Sequence, residues 1–284
     1  MSRAERLIAE RLGSAVQSKQ RLGGGDFAEA NRCVLADGRQ VFVKSHLQPP
    51  EFFFSTEAAG LDWLHSTGTV NIPKVLLVCD DPPLLVLDWV DQGRGDNNTE
   101  ANLGRQLAEL HQQPFYCFGR PDDRSTGSLA LPNSAKPSWV EFYAENRLLP
   151  LAKLSYERAT LPTHDIKGIE KLAADLSKFV AADTQPSLLH GDLWAGNRLV
   201  DRQAQSWLID PAAHGGHREF DLAMMRLFGG YGDACFAAYD EAFRLDDDWQ
   251  HRISLHQLAP LIVHAIKFGG HYVAAVHEAL QAYL

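Results

Sequence analysis

The stretch of sequence that decides the fold is S-L-L-H-G-D-L-W-A-G-N-R-L-V-D-R-Q-A-Q-S-W-L-I-D-P, residues 187 to 211. Its apolar runs predict three short strands, of which the last pairs back on the chain. These strands are Leu188-Leu189, Arg198–Val200 and Trp207–Ile209. A loop fixed between buried strands can hold Asp192, Asn197 and Asp210 around one small volume. The stretch therefore predicts a site built from two carboxylates and one amide.

This set of side chains suits phosphoryl transfer. Asp192 would accept a hydroxyl proton, while the amide oxygen of Asn197 and the carboxylate of Asp210 would hold Mg²⁺ on the phosphates of a nucleotide. The spacing H-x-D-x-x-x-x-N, followed by a strand and a further Asp, is typical of the catalytic segment of the protein-kinase-like fold. The alternative is a polar turn capped by Asp192, which explains one residue and leaves the other two without a role.

The composition is that of an ordinary globular protein with an acidic balance. The chain has 284 residues, of which 45% are hydrophobic and 22% charged, and its formal net charge is −9. This charge argues against a general nucleic-acid or anionic-membrane surface, because each needs a basic face. We therefore expect neither nucleic acid nor membrane as a partner. No apolar run reaches the length of a bilayer span.

Cysteine use and the first residues of the chain predict a cytoplasmic protein. The four cysteines are widely spaced and form no C-x-x-C pair, which favours free thiols in a reducing compartment over a disulfide scaffold or a zinc site. Residues 1–12 indicate a charged amphipathic helix without the apolar centre of a signal peptide.

A small antiparallel sheet is predicted for the first part of the chain. Strand-like segments flank Gly23, Gly24 and Gly25 and, further on, the turn Asp37-Gly38. Three glycines let backbone N–H groups face an anion, which makes them candidates for binding the phosphates of ATP, although flexible surface turns look the same. Lys44 ends the strand V-F-V-K, as the phosphate-binding lysine of a kinase-like lobe does. On its own, a lysine at a strand end is usually solvated.

A helix predicted from Glu51 to Ser66 carries a partner for Lys44. Glu57 lies one to two turns into this helix and is preferred over Glu51, which lies too close to its start. An ion pair between Lys44 and Glu57 would orient the lysine toward the α- and β-phosphates. The alternative for Glu57 is a solvated surface position.

Two further strands, the second ending at Val90, complete the sheet, and the polar run D-Q-G-R-G-D-N-N after it predicts a hinge. Backbone groups of Asp88, Trp89 and Val90 would then meet the adenine of ATP. This expectation rests on chain order alone, because backbone contacts leave no side-chain signature.

The helical character of the later chain completes the prediction of fold and domains. We predict an α+β, bilobal, protein-kinase-like fold. Residues 1–90 would form a nucleotide-binding lobe with a small antiparallel sheet and one main helix. Residues 91–284 would form a larger, mainly helical lobe for catalysis and substrate binding.

Histidines and charged residues after the central stretch leave several roles open. His214 and His217 prompt the question of a metal site, but the Gly-Gly between them and the lack of H-E-x-x-H disfavour it. Arg218 is equally suited to phosphate or to structure. Asp221 is predicted to start a helix or to brace the catalytic loop. The tail from Asp248 to Leu284 is predicted to be helical, with interruptions around Pro260 and at Gly269-Gly270.

Several motifs together resemble the fructosamine kinase, or ketosamine-3-kinase, family. H-G-D-L-W-x-G-N, I-D-P-A, G-H-R-E-x-D-L-A-M and L-F-G-G occur in that order along the chain. They occupy His190–Asn197, Ile209–Ala212, Gly216–Met224 and Leu227–Gly230. The glycine loop, V-F-V-K, L-A-E-L-H and W-x-x-F-Y-x-E-N-R-L match in order too. Aminoglycoside and choline kinases share only H-G-D and the later Asp.

The resemblance implies ATP-dependent phosphorylation of the 3-hydroxyl of a sugar joined to an amine through a ketoamine linkage. Asp192 would be the base, Asn197 and Asp210 the Mg²⁺ ligands, and Lys44 with Glu57 the phosphate clamp. In that family the 3-phosphate is unstable, and its elimination releases the amine and reverses glycation. Some relatives carry a redox-sensitive cysteine in the glycine loop, but this chain reads Gly25-Asp26-Phe27 there.

Trp194 lies inside the family motif, and the resemblance places its ring against the open-chain sugar. The alternative is a buried aromatic residue that braces the loop. The expected partners are small-molecule ketosamines or glycated amines and proteins, with the sugar, the amine and the oligomeric state left open.

Three other functions remain open at this point. One is a kinase of another small hydroxyl compound, such as an aminoglycoside, and one is a nucleotide-binding pseudokinase. The third is a metal hydrolase that uses the histidines, which would need bound metal and activity without ATP. The joint presence of Lys44, Asp192, Asn197 and Asp210 disfavours a pseudokinase, because a decayed site normally loses one of its groups.

Overall fold

An antiparallel sheet of five strands, in the spatial order β1-β2-β3-β5-β4, occupies the first part of the chain. Its strands are β1 Val16–Arg21, β2 Glu29–Leu35, β3 Gln40–Ser45, β4 Val75–Asp80 and β5 Pro83–Asp88. The computed structural model describes residues 2–23, 27–181 and 183–284. Strand β5 ends two residues before the predicted Val90.

Alternating burial along the central strands decides which side chains face the site. Val41 and Val43 of β3 point to one face, where they pack with Ile8 of helix α1 (Arg3–Leu12). Because successive residues of a strand point to opposite faces, Phe42 and Lys44 point to the other face. That second face carries the helix α2 (Phe53–Ser66) and the main cleft of the molecule.

Helix α2 begins two residues later than the sequence predicted. Phe52, just before the helix, adopts left-handed backbone angles with φ of 58°, and no side chain caps the helix start. Glu51 therefore lies in the preceding turn, whereas Glu57 lies on the buried side of the helix.

Eight further α-helices follow residue 96 in the part of the chain that the structure describes. They are α3 Asn97–Gln112, α4 Trp139–Tyr143, α5 Leu149–Glu157, α6 Thr163–Asp175, α7 Glu219–Leu227, α8 Asp233–Ala242, α9 Ile253–Phe268 and α10 His271–Gln281. One wider turn, Ala144–Leu148, joins α4 to α5 without a break.

Helix α9 runs without interruption through Pro260, so the predicted break there is wrong. Proline cannot donate the backbone hydrogen bond that His256 O would accept. The buried hydroxyl of Tyr143 lies at this point, donating to Leu255 O at 2.7 Å with His256 O at 3.3 Å, and accepting from Ala259 N at 3.2 Å. A side chain from α4 thus replaces the missing backbone donor.

Two short strand pairs carry the central stretch of the sequence. Strand β7 (Arg198–Val200) pairs with β8 (Ser206–Leu208), as predicted, with Leu199 opposite Trp207. Strand β6 (Ser187–Leu189) pairs with β9 (His214–Gly216). The sequence predicted β6 but neither β9 nor this pairing. A Cβ at Gly215 would lie 1.9 Å from the carbonyl oxygen of Cys117, so only glycine permits this close approach.

The whole architecture is α+β, as predicted, with the sheet and α2 on one side of the cleft and the helices on the other. One hydrophobic core joins residues of α2 and β5 to residues of α3, β6 and α7. The division of the chain at residue 90 stays a prediction. Among the described residues, none of the helices combines the length and apolar character that a bilayer crossing requires.

Candidate active site

Asp221, at the start of α7, fixes the loop that carries Asp192. Its carboxylate is fully buried and accepts hydrogen bonds from His190 N at 2.7 Å and from Gly191 N at 2.9 Å. Gly191 has φ of 80°, and a Cβ there would lie 2.3 Å from Ala212 O. Of the two roles considered for Asp221, the brace for the loop is therefore confirmed.

His190 ties the same loop to the strand that leads into Asp210. Its Nε2 donates to Ile209 O at 2.9 Å, and its Nδ1 accepts from Asp192 N at 3.3 Å. Burial lowers the pKa of His190, which keeps the ring neutral and makes this pattern of one donor and one acceptor possible.

Asn197 brings Asp192 and Asp210 together. Its Nδ2 donates to Asp192 O at 2.8 Å, to Asp192 Oδ2 at 2.9 Å and, more weakly, to Asp210 O at 3.4 Å. Because the amide nitrogen is used in this way, the amide oxygen of Asn197 is the atom left to accept a cation.

Asp210 occupies a strained backbone position in the cleft. Its φ is 54°, in the left-handed region that costs a residue with a side chain roughly 1–2 kcal/mol. Oδ1 of Asp210 is buried and has no hydrogen-bond partner among the described residues, although Lys44 Nζ makes an ion-pair contact with it at 3.0 Å. Asn197 Nδ2 contacts the backbone oxygen of Asp210, so both side chains belong to one small region, and a carboxylate and an amide oxygen are ligands that suit a hard divalent cation such as Mg²⁺.

The predicted ion pair between Lys44 and Glu57 is present. Lys44 Nζ lies 3.0 Å from Oε1 and 2.9 Å from Oε2 of Glu57, and both side chains are largely buried. The carboxylates of Glu57 and Asp210 raise the pKa of Lys44 against the effect of burial, so the lysine stays charged. The rival partner, Glu51, is exposed outside α2.

The carboxyl of Asp192 is half-buried at the centre of the cleft. Burial raises its pKa to about 7, and the carboxylates of Asp210 and Asp221 add to this effect. The hydrogen bond from Asn197 and the charge of Lys267 act in the opposite direction. A base with a pKa near the working pH is well matched to accepting a proton from a hydroxyl.

One end of the cleft, whose volume is about 690 Å³, is apolar and suits a flat base. Its walls include residues from both sides of the molecule, among them Leu22, Ala28, Phe42, Leu87, Leu199 and Ile209. Asp88, Trp89 and Val90 also line it, as the sequence predicted. The N–H of Val90 has no hydrogen-bond partner in the described part of the chain, which leaves it available to an adenine ring.

The glycine loop is described only in part. Gly23 lines the cleft beside Leu22 and Phe27. Gly24 and Gly25, the other two predicted phosphate-binding glycines, lie outside the described residues.

Trp194 also lines the cleft. Its ring lies over Gly196, where an added Cβ would be 2.1 Å from the ring, so a side chain at this position would displace the ring. Trp194 is 37% exposed and lines the cleft, which favours a contact surface over a buried brace.

Sequence reasoning missed several residues of the cleft wall. The missed residues include Ser128, Arg147, Met224, Val263, His264 and Lys267. Val263, His264 and Lys267 share one face of α9 at helical spacing, but the same pattern also describes an ordinary half-buried helix.

His214 and His217 do not meet at a common point. His214 lines the cleft with Nδ1 bonded to Ala212 O, and burial lowers its pKa to about 3. His217 instead lies near Glu219 and His256, three side chains whose ligand atoms fall within 4.8 Å of one another. Arg252 already binds both oxygens of Glu219, at 2.8 and 2.7 Å, so the only carboxylate of this cluster is paired with a guanidinium.

Arg218 has a structural position. Its guanidinium donates to the carbonyl oxygens of Phe243 and Arg244 and lies 3.7 Å from the centre of the Phe243 ring. Of the two roles left open for it, these contacts favour structure.

Comparison with known proteins gives consistent results. The family model described as fructosamine kinase matches residues 1–284. The crystal structure of a protein assigned as a fructosamine-3-kinase, from Thermobifida fusca, is 35% identical and has a TM-score of 0.91, covering 99% of this chain and 98% of that one. A curated relative, the chloroplastic protein-ribulosamine 3-kinase of Arabidopsis thaliana, is 28% identical over 99% of this chain and 86% of its own.

A more distant structure shares the fold alone. The streptomycin–ATP–APH(2'')-IIa ternary complex has a TM-score of 0.70 at 15% identity, covering 99% of this chain and 96% of that one.

Proposed function

Because the chain belongs to the fructosamine kinase family, we propose that it transfers a phosphoryl group from Mg-ATP to the 3-hydroxyl of ketosamines, the ribulosamine, erythrulosamine or fructosamine adducts of amines. The family is one of ATP-dependent phosphotransferases, and its kinases use a divalent metal ion in general. The observation that carries the proposal is the meeting of Lys44, Asp192, Asn197 and Asp210 in one cleft.

The nucleotide would lie across the apolar end of this cleft. Its adenine would meet the backbone of Asp88, Trp89 and Val90, and its phosphates would meet Lys44 and the loop that begins at Gly23. Lys44, held by Glu57, supplies a fixed positive charge without the cost of reorganising water. Gly24 and Gly25 keep the phosphate-binding role that the sequence suggested.

Asn197 and Asp210 would hold Mg²⁺ through the amide oxygen and the carboxylate. When bound there, the ion would neutralise charge on the phosphates of ATP. The strained backbone of Asp210 is consistent with this role, since strained residues cluster where function over-determines the geometry.

Asp192 would accept the proton of the 3-hydroxyl as that oxygen attacks phosphorus. Its hydrogen bond with Asn197 fixes the direction of Oδ2, and its raised pKa makes it a competent base near neutral pH. Trp194 would form an apolar wall against the open-chain sugar, which needs no rigid ring to fit it. The unstable 3-phosphate would then release the amine, so the reaction amounts to deglycation.

The compartment follows from the reaction and the thiols. All four cysteines are unpaired. A reducing compartment that contains ATP suits them, and we place the enzyme in the cytoplasm.

The test is ADP release with Mg-ATP against one panel of acceptors: ribulosamine-lysine, erythrulosamine-lysine, fructosamine-lysine, kanamycin and choline. We expect several ketosamines to be substrates with a graded preference, because one added carbon in a pocket changes binding by only about 1–3 kcal/mol. Kanamycin or choline turning over faster than every ketosamine would contradict the substrate class. No turnover with any acceptor would favour the nucleotide-binding pseudokinase instead.

A further inference from the structure

A row of aromatic side chains leads from the cleft to the residue that follows α7 and on across α9 and α10. We call it the aromatic shelf, and its members are Trp194, Phe228, His264, Phe268 and Tyr272. The ring centroids of Trp194 and Phe228 are 6.0 Å apart, those of Phe228 and His264 5.1 Å, and those of His264 and Tyr272 5.0 Å. Phe268 continues the row at 6.1 Å from Tyr272. Each ring therefore contacts the next.

The shelf is open to solvent at both ends and in the middle. Trp194 is 37% exposed, Phe228 39% and Phe268 50%. Single exposed aromatic residues are normal, but a contiguous exposed apolar patch usually marks a binding surface. Trp194 and His264 also line the cleft, so the patch is continuous with the proposed acceptor site.

The geometry of a ketosamine decides what the shelf can hold. Its nitrogen is attached to C1, two carbons away from C3, whose hydroxyl must reach Asp192. With bonds of about 1.5 Å, the nitrogen lies no more than about 4 Å from C3. The group carried by the nitrogen must therefore leave across the surface beside Asp192, and Trp194 follows Asp192 by two residues.

We propose that the aromatic shelf is the subsite for the amine part of the ketosamine. An alkyl chain such as a lysine side chain would cover the rings of Trp194 and Phe228 and exclude water from them. The secondary ammonium at its start would lie against an aromatic face, where a cation is favoured. This inference rests on the proposed function and extends it: the enzyme selects ketosamines whose amine carries an extended apolar chain over those of small amines.

The absence of a carboxylate from the shelf limits its ligands further. None of its five members is acidic, and Lys267 lies beside it on α9. Repeated ammonium groups would find no partner there. A single ammonium followed by methylene groups matches this surface better than a polyamine does.

The experiment compares two ribulosamines that differ only in the amine, methylamine against n-hexylamine, with Mg-ATP as donor. Full burial of one CH₂ changes binding about fourfold, so we expect the partly covered hexyl chain to raise kcat/KM at least tenfold over methyl in the wild type. Phe228→Ala is expected to cut this hexyl-to-methyl ratio to about threefold or less. Phe268→Ser, at the outer end of the shelf, is expected to cut it by a smaller factor.

Tyr116→Ala is the matched control, because Tyr116 is an aromatic residue, 88% exposed, that lies outside both the cleft and the shelf. It should keep the wild-type ratio. If Phe228→Ala fails to fold, Phe268→Ser carries the test, since its side chain is half-exposed. Melting temperatures of all variants confirm that ratios are compared between folded proteins.

Three outcomes would overturn the inference. Ribulosamines turned over with equal kcat/KM for methyl and hexyl would leave the proposed function standing and remove the subsite. An unchanged ratio in folded Phe228→Ala, accompanied by a change from oligomer to monomer in sedimentation, would make the shelf a self-association surface. No turnover of either compound would reject the proposed function, and the subsite with it.

Discussion

At the scale of single residues, Asp192 is the group whose titration should control activity. Its pKa is raised to about 7 by burial, so below pH 7 the carboxyl is increasingly protonated and cannot accept a proton. We expect kcat/KM to fall about tenfold per pH unit below that value and to level off above it. The measurement is a pH profile of ADP release with a ketosamine acceptor.

Glu57 provides the control for this assignment. Burial raises the pKa of Glu57 as well, so protonation of Glu57 could produce a similar fall of kcat/KM at low pH, the acid limb of the profile. In Glu57→Gln that group no longer titrates, and the limb should remain if it belongs to Asp192. Loss of the limb in Glu57→Gln would assign it to Glu57 and contradict the prediction.

At the scale of secondary-structure elements, one hydroxyl group of α4 supplies the hydrogen bonds that the structure shows from α4 to the backbone of α9. Tyr143→Phe leaves Leu255 O and His256 O without their side-chain donor in a buried position. An unsatisfied buried polar group costs about 1–3 kcal/mol, so we expect the free energy of unfolding to fall by that amount. Chemical denaturation measures it.

The matched control is Tyr156→Phe, which removes a hydroxyl from an exposed tyrosine. Its unfolding free energy should stay within about 0.5 kcal/mol of the wild type. A Tyr143→Phe protein as stable as this control would show that the helix does not need the hydroxyl at Pro260.

Prediction from the sequence succeeded for elements that have a local pattern. It failed for elements whose structure is decided by contacts with residues distant in the chain. The H-x-D-x-x-x-x-N spacing and the strand ending at Lys44 are local signals, and the structure brings their side chains together. Strand β9 was missed because glycine has low strand propensity, and the close approaches that call for two glycines there, of Gly215 to Cys117 O and of Gly216 to Leu189 and Trp139, are tertiary contacts. The uninterrupted helix at Pro260 depends on Tyr143, which no local pattern connects to it.

The aromatic shelf shows the same limit of prediction from local sequence patterns. Trp194 could be singled out because it follows Asp192 within a motif. Phe228, Phe268 and Tyr272 come from three separate helical regions, and each is an ordinary aromatic residue in its own segment. Their meeting is a property of the tertiary structure, so no single-sequence signal could have identified the shelf.

At the scale of the whole molecule, the cleft separates the sheet and α2 from the helical part, so a nucleotide would contact both. Lys44 and Glu57 lie on one side, and Asp192, Asn197 and Asp210 on the other. A ligand that binds only the folded state adds about 2.7 kcal/mol of stability at a hundredfold excess over its Kd. We expect Mg-ADP at that level to raise Tm by about 5 °C.

Two variants separate the proposed metal ligand, Asp210, from the proposed base, Asp192, in this experiment. Asp210→Asn should lose most of the Mg²⁺-dependent part of the Tm increase. Asp192→Asn should keep most of the Mg²⁺-dependent Tm increase and abolish phosphoryl transfer. This substitution removes the proton acceptor with little change in the shape of the side chain. An Asp210→Asn protein that still responds fully to Mg²⁺ would contradict the assignment of the metal site.

The hydroxyl of Tyr143 at Pro260 has an evolutionary consequence. A proline inside a helix is tolerated here because a tyrosine on a distant helix supplies what the backbone lacks. Loss of the tyrosine would expose the cost of the proline, whereas loss of the proline would leave the tyrosine hydroxyl its bonds with Leu255 O and Ala259 N. Among descendants of a common ancestor we therefore expect residue 260 to abandon proline before residue 143 abandons tyrosine, and the reverse order to be rare.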